Sequence, residues 1–406
     1  MSRFDDPLHD EFASWALGFA PYGGADVGEV DLLAGQVKPG DDDSFFDAFT
    51  ALARRRIEEG DEAAVAGRGT TARDCFMRAA LFLGLGYHPL YGAPVDPRLR
   101  DAFHLQTETF EKALALDRPL GEKVDVPYEG TRLPAWFLRA PGFEDSVRPT
   151  ILVGGGWDST ATENHLGMGV AALRRGYHVL LHDGPGQGRL LIDEGLPLRH
   201  DWEAVVTPVV DAALAIDVVD PDRIVYQPWS LGGYMAPRVA AFGHRLAAVV
   251  CDPGQLDVGG KVLGPFGKVL GAEAAARLPE IDADGERKLM TMIEGNRSLR
   301  WKLVRRGFWT AGVDDLAAWL KEIFRWRLDR ETVAEIRCPA LVTAAESDGA
   351  STDAGELYDA LRAPRQLIRF QNADGAGDHC ELLNRSMANR AILDWLDETL
   401  GVSSAG

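Results

Sequence analysis

From Thr150 onward, short apolar runs alternate with helix-length segments, and few folds accommodate such an alternation. The runs are TILVGG (150–155), HVLLHDG (178–184), RIVYQP (223–228), AAVVCD (247–252), PALVTAA (339–345) and QLIRFQ (366–371). Between them the pattern predicts a helix ending near Arg175, one over about 201–216, one starting at Gly232, and a closing helix ending near Leu400. Strands that are apolar throughout must be buried on both faces. The expected architecture is therefore α/β: a mostly parallel sheet with helices on either side.

Two regions depart from the alternation. Residues 1–120 read as a helical domain. Asp43–Glu59 places Phe46, Phe49, Leu52 and Ala53 on one stripe. A second helix runs from an N-cap at Thr70 or Thr71 through Met77, Ala80 and Leu83 to Gly84 and Gly86, and a third spans Pro97–Leu116. The following segment, VDVPYEGTRLPAWFLRAP, alternates around Glu129-Gly130 and predicts a β-hairpin. Residues 121–406 then form the α/β domain, interrupted by a helical insertion at about 254–335 that is too long for an ordinary crossover. The insertion carries Phe266, Trp301, Phe308, Trp309, Trp319 and Trp326. Aromatics at that density are either core or a lid over the sheet's catalytic edge.

One segment points to chemistry. In Val225-Tyr226-Gln227-Pro228-Trp229-Ser230-Leu231-Gly232-Gly233-Tyr234 a strand runs through a serine into a helix. A serine hydroxyl is a weak nucleophile that must be exposed, deprotonated and supplied with an oxyanion site. A sharp strand-to-helix turn lifts the hydroxyl off the sheet and aims the helix N-terminus and the Leu231 N–H at developing negative charge. The usual pattern is G-x-S-x-G, and here Pro228 stands at the first glycine. The plainer alternative is a serine that caps a helix.

Chain order favours the chemical reading. After PALVTAA come Glu346, Ser347 and Asp348, and after QLIRFQ comes NADGAGDHCE, whose single histidine is His379. Ser230, then Asp348, then His379 is the order of a nucleophile–acid–base triad on such a sheet. Glu346 and Asp353 are rival carboxylates. The loop Gly154-Gly155-Gly156-Trp157-Asp158-Ser159 follows the first central strand, where a second oxyanion donor belongs. We assign the backbone N–H of Trp157 to that role beside Leu231, with Gly156 as the alternative donor. Gly156, Trp229, Asp257 and Trp309 are the candidates for substrate contact. Asp183-Gly184-Pro185-Gly186-Gln187-Gly188 lacks the ending of a phosphate loop and the spacing of a dinucleotide site, and reads as structural.

A formal net charge of −19 argues against nucleic acid and anionic membranes as partners. A small-molecule substrate is expected, with no metal or other cofactor, and a homodimer is possible. The opening MSRFDDPLHDEF has neither a basic nor an apolar leader segment, and Cys75, Cys251, Cys338 and Cys380 are isolated. Both features predict a cytoplasmic protein.

Together, AGRGTTARDCFMRAA, PYEGTRLPAWF, GGGWDST, DGPGQG, WSLGGYMAPR and GAGDHCE resemble the α/β-hydrolases with an N-terminal helical domain. That group includes 2,6-dihydroxypseudooxynicotine hydrolase, fungal heptaketide-shortening hydrolases and FrsA-like esterases. The resemblance implies cofactor-free hydrolysis of a carbon–carbon bond next to a ketone, or of an ester, with Ser230, Asp348 and His379 as the triad. It also implies a substrate-contacting carboxylate from the covering region, for which Asp252 and Asp257 are the nearest candidates. Acyl transfer or cyclisation through the same serine is the competing chemistry. A non-catalytic binding protein that kept the fold is the competing class.

Overall fold

The computed structural model describes residues 2–117 and 121–402. Five helices open the chain: α1 (Pro7–Gly18), α2 (Val27–Ala34), α3 (Asp42–Val65), α4 (Gly69–Gly86) and α5 (Pro97–Leu116). Acidic caps start most of them. Asp6 accepts from the Leu8 and His9 N–H groups, Asp41 from Ser44, and Asp96 from Arg98. α3 runs past the expected end at Glu59. Gly60, ordinarily a weak helix residue, is useful here because a Cβ at that position would lie 2.6 Å from the Phe76 ring of α4. α4 starts at Gly69, just ahead of the two threonines expected to cap it.

The strands are β1 (Glu122–Lys123), β2 (Val126–Tyr128), β3 (Thr131–Leu133), β4 (Ala135–Leu138), β5 (Arg148–Gly154), β6 (His178–His182), β7 (Val219–Pro228), β8 (Ala248–Cys251), β9 (Ala340–Ala345) and β10 (Arg365–Phe370). Eight of them form one sheet in the order β1-β4-β6-β5-β7-β8-β9-β10. From β6 to β10 the pairing is parallel, and β4 joins β6 antiparallel. Every residue of β6, β8 and β9 is buried, as their uninterrupted apolar runs require. The predicted hairpin is confined to β2 and β3. Its two turn residues, Glu129 and Gly130, have φ of 41° and 88°, which suits a tight turn matched to strand twist. After Pro134 the chain leaves the hairpin and enters the large sheet as β4.

The interval between β8 and β9 is helical, including a π-helical stretch at Trp301–Phe308. Its aromatics are core residues. Phe266, Phe308, Trp319 and Trp326 pack into the cluster on one side of the sheet, while Trp301 and Trp309 join the N-terminal core. Trp301 stands edge-on to Phe12 of α1 with ring centroids 4.7 Å apart, and its indole N–H donates to the His88 carbonyl at 2.8 Å. α1 is thereby held between the helical region and the insertion. Among the described residues no helix is long and apolar enough to cross a membrane.

Phe12 is 4% exposed and touches Phe45, His88 and Trp301. Phe12→Ala should therefore cost about 3–5 kcal/mol. Thermal melts should fall, and amide exchange should rise first in residues 7–18. Unchanged exchange in that helix would show that α1 is held by other contacts.

Candidate active site

β7 ends at Pro228, and a helix begins at Gly232. Ser230 lies between them with φ of 59°, a left-handed conformation that costs a non-glycine residue about 1–3 kcal/mol. The turn is possible because the neighbouring backbone can approach it closely. A Cβ on Gly232 would sit 2.5 Å from the Pro228 Cβ, and one on Gly233 only 1.7 Å from the Pro253 carbonyl oxygen. The Ser230 carbonyl accepts from the Gly233 N–H at 2.9 Å and from Gln255 Nε2 at 2.6 Å.

Ser230 Oγ is 2.9 Å from His379 Nε2, and His379 Nδ1 is 2.9 Å from Asp348 Oδ2. With the ring proton on Nδ1, the imidazole donates to the carboxylate and Nε2 is free to accept from the serine hydroxyl. Burial pushes the Asp348 carboxyl up. The hydrogen bond and charge of His379, with the Ala350 and Cys380 N–H groups, outweigh that and hold it below the ordinary carboxylate range. Desolvation pulls His379 down. The hydrogen bond and charge of Asp348, then the charges of Asp252 and Asp158, more than offset this, so its pKa is raised above 6.5. The rival carboxylates are engaged elsewhere. Glu346 accepts from the Asn372 N–H, and Asp353 accepts from the Leu256 and Asp257 N–H groups while facing Lys261 at 3.0 Å.

The glycine-rich loop after β5 lies against this turn. A Cβ on Gly156 would stand 2.7 Å from the Ser230 Cβ and 2.8 Å from the Leu231 nitrogen. Among the described residues the N–H groups of Trp157 and Leu231 have no protein acceptor. The segment 183–188, expected to be structural, braces the loop. Gln187 Nε2 donates to the Gly156 carbonyl at 2.6 Å, and its Oε1 accepts from the Gly184 N–H at 2.8 Å.

Beside Ser230 is a cavity of about 20 Å³, room for roughly one water. Trp15 of α1, Asp158, Ser159, Trp229, His379, Cys380 and Leu382 line it with Ser230. Trp229 lines this cavity, and its indole N–H is committed to Ser159 Oγ and Asn164 Oδ1, both at 2.9 Å. Two other substrate-contact candidates stand elsewhere. Trp309 packs edge-on to Tyr91, and Asp257 accepts from the Gly260 N–H and faces Arg327. Asp252 is fully buried and paired with Arg385, so it cannot meet a substrate either. The carboxylate at the cavity is Asp158, with Arg306 of the insertion 2.6 Å away. It directly follows Trp157 in a loop already singled out, and that adjacency was the available signal. Trp15 and Leu382 carried no comparable mark in the sequence. A larger cavity of about 820 Å³ lies between α5, the hairpin and residues 160–162, and contains none of Ser230, Asp348 or His379.

A mostly parallel sheet, a left-handed serine at the end of β7, and a histidine and carboxylate delivered by the loops after β10 and β9 define the α/β-hydrolase class. The chain belongs to the branch of that family represented by hydrolase LUC6 of Fusarium sp, to which it is 30% identical over 411 residues, 95% of each chain. It is 29% identical over 416 residues to the 20-hydroxy-prefusarin hydrolase FUS2 of Gibberella moniliformis, again 95% of each. The solved structure of 2,6-dihydroxy-pseudo-oxynicotine hydrolase shares the fold, with a TM-score of 0.74 and 21% identity over 96% of this chain and 97% of that one. No family model matches the chain. The protein is a hydrolase of this family.

Pro228 occupies a position where such turns usually have glycine. It pairs in register with Gly154 at the end of the parallel ladder, where a missing N–H is tolerated. Pro228→Gly should keep activity within about tenfold and lower stability by about 0.4–1 kcal/mol, because the unfolded chain gains freedom. Complete loss of activity in a folded variant would mean that the proline ring itself sets the serine geometry.

Proposed function

We propose that the protein is a serine hydrolase that cleaves a carbon–carbon bond next to a ketone, or an ester, in an aromatic or polyketide-like small molecule. The observation that carries this reading is the unbroken chain Ser230 Oγ, His379, Asp348, with both hydrogen bonds at 2.9 Å. In the mechanism, His379 Nε2 takes the hydroxyl proton as Ser230 Oγ adds to the carbonyl carbon. The Leu231 and Trp157 N–H groups bind the resulting oxyanion. Collapse expels an enolate carbon or an alkoxide, which takes the proton back from His379 and leaves an acyl group on Ser230. A water deprotonated by the same imidazole then releases the acid and restores the serine. Asp348 keeps the ring in the required tautomer and stabilises its charged form. The name of one relative, 20-hydroxy-prefusarin hydrolase, supports hydrolysis of a small molecule.

In this reading residues 1–120 form a helical domain, and residues 121–406 the catalytic one. The cover over the nucleophile is α1 with the His379 loop, backed by the insertion at about 254–335 through Arg306 and Thr310. The His379 side chain is 45% exposed, so the serine is reached from the open side of this shallow pocket. Its largely apolar lining favours bulky apolar ligands.

Ser230→Ala should fold normally and lose on the order of 10³-fold or more in turnover. Near-wild-type activity in a clean preparation would end the serine mechanism.

The pH dependence follows from His379. Its raised pKa means that the inactive imidazolium persists above pH 6.5, so kcat/KM should rise with pH through a midpoint above that value. Asp348→Asn removes the main cause of the elevation. The midpoint should move down while turnover falls by about 10³–10⁴, whereas Glu346→Gln changes little.

Bulky aromatic ketones or lactones should be turned over far better than p-nitrophenyl acetate or butyrate. Equal, efficient cleavage of the short esters would contradict selection by the apolar pocket.

A further inference from the structure

We infer that Arg385 and Asp252 form a positioning pair that holds all three residues of the proposed triad in register; the inference rests on the serine-hydrolase reading. Both side chains are fully buried, and Arg385 Nη1 is 2.7 Å from Asp252 Oδ2. Arg385 opens the last helix, Arg385–Leu400, and reaches back into the centre of the molecule. The same Nη1 donates to the carbonyl of Cys380, the residue after His379, at 2.8 Å. The guanidinium lies 5.3 Å from the ring centroid of Trp229, the residue before Ser230. Asp252 is bridged to the backbone of Trp229, and its Oδ1 accepts from Thr343 Oγ1 at 3.0 Å within β9, the strand that leads to Asp348. One ion pair therefore touches the immediate neighbours of the nucleophile and the base, and the strand that carries the acid.

The backbone it grips needs holding. Cys380 and Glu381 have φ of 55° and 51°, left-handed values that neither side chain favours. Glu381 lies 3.5 Å from Arg385, and burial, then the charge of Asp252, push its carboxyl well above the usual range. Asp252, at 2.7 Å, is the nearer partner of the guanidinium. A planar fork satisfies the Gly167 and Cys380 carbonyls and the carboxylate together, which a lysine ammonium cannot do.

The test measures the rate of labelling by a fluorophosphonate, which reports the Ser230–His379 couple without requiring the natural substrate. Wild type and Ser230→Ala come first. A wild type that is not labelled, or an alanine variant labelled equally fast, overturns the hydrolase reading itself. Arg385→Lys keeps the charge. Arg385→Met combined with Asp252→Asn removes both charges and leaves no unpaired ion in the core. Both should fold by circular dichroism yet label about 10²-fold more slowly per folded molecule. In Arg385→Lys the midpoint of the acid limb should also drop toward 6.5 as the His379–Asp348 contact loosens. The groups facing that ring are Asp348, Asp252, Asp158 and Cys380; a lysine keeps a positive charge opposite Asp252, so a downward shift reports the loosened Asp348 contact. Labelling at the wild-type rate with an unshifted midpoint, in either folded variant, would reduce the pair to a stability element and overturn the inference.

Discussion

Ser230 sits in a backbone conformation that its own side chain opposes, and much of the surrounding structure serves to keep it there. Left-handed φ at a serine costs about 1–3 kcal/mol, a noticeable share of a domain's net stability. The strain is held by a parallel strand on one side and a helix N-terminus on the other. Backbone contacts at Gly156, Gly232 and Gly233 are too close for any Cβ to enter. What the strain provides is exposure: the hydroxyl stands clear of the sheet and within 2.9 Å of an imidazole. A relaxed serine in a helix cap would accept backbone N–H groups and have no reason to meet a histidine nearly 150 residues further along the chain.

The electrostatics reinforce the same geometry. His379 is shifted upward chiefly by Asp348, whose own protonation is suppressed by that imidazole, so each stabilises the charged form of the other. Asp252 lies nearby but is balanced by Arg385. A second buried negative charge next to the ring would otherwise favour the imidazolium and hinder its action as a base at neutral pH.

Buried parallel strands show in sequence as apolar runs, and for that reason the order and limits of β5 to β10 were readable to within a few residues. The nucleophile turn was readable because its glycines answer to steric demands within a few positions. The cover was not. Trp15 and Leu382 reach the cavity only through tertiary packing, and nothing in their local pattern distinguishes them from core or loop residues. Of the two readings open for the aromatics of the insertion, core is the one the structure shows. Phe266, Phe308, Trp319 and Trp326 occupy a second core, because a long helical excursion must bury its own apolar faces before it can cover anything else. Asp257 and Trp309 lie in the same stretch of chain, but neither lines the cavity beside Ser230. α1 went unread because its buried face includes His9, a residue whose polarity masks the stripe.

Gly18 lies at the end of α1, where a Cβ would come within 2.3 Å of the Leu382 carbonyl oxygen, so this helix rests directly on the loop that carries His379. The contact joins two segments that are far apart in the sequence. Trp15 of the same helix and Leu382 also share the pocket beside Ser230, so one wall of that pocket exists only when these distant segments are packed together.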